Sequence, residues 1–215
     1  KPGFTIYDGQ DAQRLIARLA KDAGIDDKRL PPRAIANAIS RAKDELIPAS
    51  TFRQQASGWP DEAVAEVYTA YELALRRAHA LDLDDLIVRT VDLFRSHPDV
   101  LERYRQRFTH LMIDEYQDTN RAQYHLVQLL AAGSRNLMVV GDPDQGVYSF
   151  RGATIRNILD FEQDYPDATV IPLTRNYRST RTILDAANAV IAHNRGRTPK
   201  DLWTEADEGV PITRY

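Results

Sequence analysis

Two adjacent carboxylates, Asp114 and Glu115, close a short apolar run, Leu111-Met112-Ile113. A second run, Leu137-Met138-Val139-Val140, ends in Gly141-Asp142-Pro143-Asp144-Gln145. A third, Thr169-Val170-Ile171, leads into Thr174-Arg175-Asn176-Tyr177-Arg178. In open parallel sheets, ligands bind beyond the carboxyl ends of the strands. If the three runs are neighbouring strands, one rim gathers carboxylates, a glutamine, an aromatic ring and arginines. That set suits a nucleoside triphosphate with a divalent cation. One carboxylate holds the metal through its water shell, and the second positions or deprotonates the attacking water. Arginines neutralise charge on the phosphoryl oxygens. Each piece alone is ordinary: Asp-Glu ends many strands, Gly-Asp makes turns, and Tyr-Arg is a common surface pair. Their order within about 65 residues is the signal.

The elements that must position these groups follow from periodicity. Each apolar run is too short for a helix and suits a buried strand. A helix is expected between the first two, from about Asn120 to Ala132, ended by Gly133. Another is expected between the second and third, from about Ile155 to Tyr165. Alternating strands and helices predict a parallel α/β sheet. Upstream, apolar positions at helical spacing predict helices over about 11–23, from Pro31-Pro32 to Ile47, from Trp59-Pro60-Asp61 to His79, over 83–95 and over 98–107. Ser179 is the expected N-cap of a helix reaching His193. A short strand is expected at Pro211 to Tyr215.

Composition narrows the class. The 215 residues carry 28 Lys and Arg against 31 Asp and Glu, a formal net charge of −3, with 43% hydrophobic residues. These are ordinary globular values, and any nucleic-acid contact has to come from local basic patches rather than net charge. There is no cysteine, which removes disulfides, zinc thiolates and a cysteine nucleophile and fits a cytoplasmic location. No apolar run approaches the roughly 18 residues of a membrane span. The five histidines show no metal-ligand spacing. The sequence begins with Lys1 rather than Met, as a partial or processed chain would.

The longer motifs carry a resemblance. Asp114-Glu115-Tyr116-Gln117-Asp118-Thr119-Asn120 resembles motif II of the UvrD/PcrA/Rep family of superfamily 1 DNA helicases. Residues 140–153, from Val140-Gly141-Asp142 to Arg151-Gly152-Ala153, resemble motif III, and Asn176-Tyr177-Arg178-Ser179-Thr180 resembles motif IV. Leu81-Asp82-Leu83-Asp84-Asp85-Leu86 is similar to the family's Leu-Asp-Phe-Asp-Asp-Leu stretch. Phe4-Thr5-Ile6-Tyr7-Asp8 is similar to the start of its inserted helical subdomain.

The resemblance implies a RecA-like P-loop NTPase sheet with an all-helical insertion. Residues 1–82 would be the insertion, 83–178 the second half of the first motor domain, and 179–215 the start of the second. It implies an ATP-dependent 3′–5′ helicase or translocase on single-stranded and forked DNA, in repair or replication restart, with ATP and Mg²⁺ as cofactors. Asp114 would coordinate Mg²⁺ and Glu115 would be the catalytic base. Gln145 would sense the γ-phosphate, Tyr177 would stack on adenine, and Arg178 would contact the γ-phosphate. Arg151 would join nucleotide to DNA. Tyr148 and Phe150 would line the single-strand track, where bases stack on aromatic rings irrespective of sequence. Gly146, Ser149 and Phe150 stand where the family commonly has Ser, Arg and Trp. Scattered charges at Lys21, Lys28, Arg29, Arg33, Arg41, Lys43 and Arg53 would serve salt-sensitive contacts to duplex DNA.

None of the ten glycines is followed by lysine, so the phosphate-cradling Gly-x-x-x-x-Gly-Lys loop is absent. The 215 residues alone are therefore expected to be inactive. Two alternatives stay open: a helicase–nuclease subunit of the RecB or AddA kind, and a non-catalytic DNA- or protein-binding fragment.

Overall fold

Asp8 starts the first helix by accepting from the amides of Gln10 and Asp11 at 2.8 and 2.9 Å, which satisfies donors that have no partner within the helix. The computed structural model describes residues 3–146, 156–159, 161–194 and 200–213. Helix α1 (Gly9–Asp22) buries Ile16 and Ala20. Helix α2 (Pro32–Asp44) opens on a proline, whose missing N–H costs nothing in the first turn. It buries Ile35, Ile39 and Ala42. The expected continuation to Ile47 does not occur. Leu46 takes a positive φ of 56°, and Pro48 biases the residue before it away from helix. A separate helix, α3 (Ala49–Gln55), follows. Helix α4 (Asp61–Ala78) ends at His79 in the left-handed conformation. Helices α1, α2 and α4 enclose one core, with Ile16, Ile35, Ile39, Val67, Tyr68, Tyr71 and Leu75 buried. Each large apolar side chain contributes about 1.5–3 kcal/mol there.

Two strands escaped the sequence reading. Strand β1 (Thr5–Tyr7) pairs in parallel with β2 (Ala80–Asp82), with Ile6 opposite Leu81. Three residues are too few to display a two-residue alternation. Strand β2 runs directly into helix α5 (Leu83–Ser96), and Asp82 caps that helix by accepting from the Asp85 amide at 2.8 Å.

Beneath this junction lies Lys43, which is 1% exposed. Its ammonium group sits 2.7 Å from Asp82, 3.1 Å from Asp85 and 3.2 Å from Glu72. Tyr71 donates to the same Asp82 oxygen at 2.9 Å, and Arg89 pairs with Glu72 and Asp85. Burial alone would drive the ammonium pKa down. Asp82, Asp85 and Glu72 together reverse this and hold it above the usual value. Lys43 thus belongs to the interior, which corrects its placement among surface charges for duplex DNA.

Helix α6 (Pro98–Arg107) leads to strand β3 (Leu111–Ile113), and helix α7 (Arg121–Ala131) leads to β4 (Leu137–Val139). The two strands pair in parallel, Met112 opposite Met138. Asn120 and Gln123 form a reciprocal capping box at the start of α7. The helix expected over about 155–165 is present as α8 (Arg156–Leu159) and α9 (Phe161–Asp164). The third expected strand is absent: 169–171 is not in a ladder, and Val170 and Ile171 are 63% and 72% exposed. No described strand lies beside this run, and an apolar triplet without a ladder partner has nothing to hold it extended and buried.

Helix α10 (Arg181–Ile191) begins after Thr180, not Ser179, and Thr180 makes no side-chain cap. The amides of Arg181 and Thr182 instead donate to the carbonyls of Asp207 and Glu208 at 3.2 and 3.1 Å. Backbone from the tail does the work expected of a serine. Residues 211–213 form no strand; the rest of that expected strand lies outside the described residues. The chain is therefore a mixed α/β protein, mostly helical, with short parallel strand pairs. Among the described residues, no helix is long and apolar enough to cross a membrane.

Candidate functional site

The parallel register of β3 and β4 delivers their carboxyl ends side by side. Val140 donates to the Ile113 carbonyl at 2.8 Å, and Tyr116 donates to the Val140 carbonyl at 2.9 Å. The carboxylates follow at once. Asp114 and Glu115 are both exposed, and the Asp114 Oδ1 accepts from the Glu115 amide at 2.9 Å. Glu115 has φ 50° and ψ 43°, the left-handed region. A non-glycine residue there costs roughly 1–2 kcal/mol. The chain then enters a 3-10 turn at Tyr116–Asp118 and α7.

Gln117, 1% exposed, joins the two strand ends. Its Nε2 donates to Glu115 Oε2 at 2.6 Å, and its Oε1 accepts from the Asp142 amide at 2.9 Å. Gly141 is required by this contact: a Cβ there would lie 2.6 Å from Gln117 Oε1 and 2.8 Å from Ile158 Cδ1. Read from sequence, Gly141-Asp142 is a turn; the structure shows a close approach in which any Cβ would force Gln117 and Ile158 to move.

Asp142 organises the second strand end. Its carboxylate accepts from the Asp144 amide at 3.0 Å and from Gln145 Nε2 at 2.8 Å, and it pairs with Lys200. Burial alone would raise the Asp142 pKa. The bonds from Lys200, Gln145 and the Asp144 amide outweigh it and hold the pKa below the usual carboxylate value. Asn194 donates to Asp144 at 3.2 Å, so the chain just beyond α10 touches the same turn.

Motif IV stands apart. Tyr177 is 82% exposed, and the Arg175 guanidinium lies 4.8 Å from its ring centre and 5.3 Å from that of Trp203. Arg175 also pairs with Glu205. Backbone bonds Asn176 N to Trp203 O and Trp203 N to Thr174 O, at 2.7 and 3.0 Å, fix this arrangement. The Asn176 carboxamide accepts from the amides of Arg178 and Ser179, so Arg178 leaves a tight turn with its side chain exposed.

Of the predicted site residues, Asp114, Glu115 and Gln145 are thus brought together through Gln117 and Asp142. Among the described residues, no hydrogen bond or ion pair joins the side chains of Tyr177 or Arg178 to them. Tyr148, Phe150 and Arg151 lie outside the described residues. Lys200 and Trp203 were not named from sequence, and Gln117 and Arg175 stood there only inside longer segments, with no individual role. Only Gln117 carried a usable signal, a glutamine two places after the acidic pair.

The arrangement offers two solvent-facing carboxylates beside a glutamine-bearing turn and a separate exposed ring flanked by arginine. Residues 1–166 match the family model for the UvrD/REP helicase N-terminal domain. The chain is 52% identical over 212 residues to the ATP-dependent DNA helicase PcrA of Leuconostoc citreum, and 50% identical to that of Bacillus subtilis. It is 51% identical over 225 residues to the ATP-dependent DNA helicase UvrD1 of Mycobacterium leprae. Each alignment covers 99% of this chain but only 28–29% of the relative.

Proposed function

The chain belongs to the UvrD/REP helicase family, and from that premise we propose that it is the central part of an ATP-dependent DNA motor. The motor would move 3′ to 5′ on single-stranded DNA and open forks, in repair or replication restart. Residues 1–82 form the insertion, which is mainly rather than wholly helical because it carries β1 and β2; 83–178 are the second half of a RecA-like first motor domain, and 179–215 the start of the second. The observation that carries the reading is the Asp114–Glu115 pair at the end of β3, tied through Gln117 to the turn that bears Gln145.

In this reading Asp114 holds Mg²⁺. Magnesium takes one or two carboxylates and completes its shell with water and phosphate oxygens. A single exposed carboxylate fits that habit, and among the described residues no three acidic or histidine side chains form an all-protein cage. When bound, the metal supplies charge neutralisation at the phosphates. Glu115 orients and deprotonates water, Gln145 senses the γ-phosphate, and Tyr177 offers its open ring to adenine. Arg178, exposed after the Asn176 turn, contacts the γ-phosphate. Arg151 links nucleotide to DNA, and Tyr148 and Phe150 stack bases.

The test is Glu115→Gln in the full-length motor. Single-stranded DNA binding is expected to persist, while DNA-stimulated ATP turnover and unwinding fall by about 10²–10⁴-fold, the range for a lost general base. Retained turnover would show the base to be misassigned. The isolated 215 residues, lacking a lysine loop, are expected to turn over ATP negligibly.

A further inference from the structure

We infer that Gln117 is a positioning residue that makes the base at Glu115 answer to the Gln145 turn; the inference rests on the reading of Glu115 given above. The argument begins with the amide itself. A carboxamide has a donor end and an acceptor end, and only its surroundings decide which faces which way. Here the acceptor end meets the backbone N–H of Asp142 and the donor end meets the Glu115 carboxylate. Turned over, the amide would oppose donor to donor at Asp142 and acceptor to acceptor at Glu115. The orientation is therefore set by a backbone N–H of the second strand end, and that orientation supplies the donor to Glu115.

The surroundings leave Gln117 little freedom. It is 1% exposed, and its oxygen lies against Gly141, where even a methyl group would intrude at 2.6 Å. Asp142, whose amide holds Gln117, also holds Gln145 through its carboxylate at 2.8 Å. One residue is thus anchored to both the sensor and the strut. A shift of about 1 Å in this turn would lengthen the Asp142–Gln117 bond beyond useful range and release the grip on Glu115. Glu115 itself sits in left-handed backbone, and Gln117 Nε2 is the side-chain donor that the described residues bring to its carboxylate. The strut gives the base its aim only while the turn is seated, which makes base placement conditional on what Gln145 senses.

The test uses the full-length motor and two near-isosteric variants. Gln117→Met removes both bonds. Gln117→Glu keeps the acceptor for Asp142 and replaces the donor with a carboxylate facing Glu115. Both are expected to lower kcat for DNA-stimulated ATP turnover by about 10–100-fold, the scale of a misplaced catalytic group. KM for ATP and affinity for single-stranded DNA should stay within about twofold of the parent, and the ratio of DNA-stimulated to basal turnover should fall. A structural defect alone would instead move KM, DNA binding and the melting midpoint together. Added to Glu115→Gln, Gln117→Met should cause no further loss, because the strut acts through the base. If Glu115→Gln is inactive while both Gln117 variants keep parental kcat and stimulation ratio, the inference is overturned and the base assignment stands. If Glu115→Gln stays active, the base assignment fails and the inference falls with it. Loss of kcat, KM and melting midpoint together in both variants also overturns it.

Discussion

The molecule handles its acidic side chains in two opposite ways. Around Lys43, buried Asp82 and Asp85 and half-buried Glu72 lie where the helical part meets α5, each within 3.2 Å of one ammonium group. At the end of β3, Asp114 and Glu115 stand exposed, and no ion pair joins them to a cation among the described residues. The first set joins α2, α4, β2 and α5, whose apolar faces would otherwise meet at a polar seam. Charges taken out of water need partners, and three carboxylates sharing one lysine and one arginine are committed to each other. The second set accepts hydrogen bonds from neutral donors, the Glu115 amide and Gln117 Nε2, and forms no ion pair among the described residues. Buried acids here are bound into the packing, and the exposed pair is the one proposed to meet a ligand.

That contrast can be broken experimentally. Asp114→Asn should cut Mg²⁺-dependent ATP turnover in the full-length motor by about 10²–10⁴-fold, the several kcal/mol a bound metal supplies. Its unfolding midpoint should barely move, because the Glu115 amide keeps an acceptor. Lys43→Met should do the reverse. It leaves buried carboxylates unpaired and should cost about 3–5 kcal/mol in denaturant unfolding. Intact stability with lost turnover would mean that the cluster serves chemistry rather than shape. Tyr177→Ala should raise KM for ATP by about 5–100-fold, corresponding to about 1–3 kcal/mol of lost base stacking, and leave kcat near parental. An unchanged KM would remove Tyr177 from the nucleotide.

The smallest expected effect lies between the two regions. Asp44 at the end of α2 accepts from Asn120 at 2.5 Å, linking the helical half to the cap of α7. Burial first, then Asp84 and Glu45, push its carboxyl up to about 7. The folded state thus favours the protonated acid, against about 3.9 in a free chain. Its contribution is present below about pH 4 and is lost as pH rises through 7. Asp44→Asn keeps the acceptor and cannot ionise. It should raise the melting midpoint by about 1–3 °C at pH 8 and leave it nearly unchanged at pH 4. Equal effects at both pH values would remove Asp44 as the titrating group.

Much of this was legible in sequence because it depends on local rules. Proline placed the starts of α2 and α6, apolar spacing gave α4 and α5, and the helix expected from about Asn120 is α7. The gathering of Asp114, Glu115 and Gln145 at neighbouring strand ends was legible because parallel strands bring their carboxyl ends to one rim. What was hidden depends on distant partners. Lys43 looks like any surface lysine until Asp82, 39 residues away, is folded onto it. Strand β1 exists only because β2 lies beside it, and the run at 169–171 fails for want of such a neighbour. The cap of α10 comes from carbonyls at 207 and 208, which no local window contains.

The backbone of Glu115 has a consequence for how this segment would change under selection. Glycine and asparagine tolerate its left-handed conformation better than glutamate does. A library of variants chosen only for thermal resistance should therefore drift at this position toward glycine or asparagine, and neither carries a carboxylate. Turnover and robustness pull the same codon in opposite directions. Its composition after several rounds would report which of the two the population had been asked to keep.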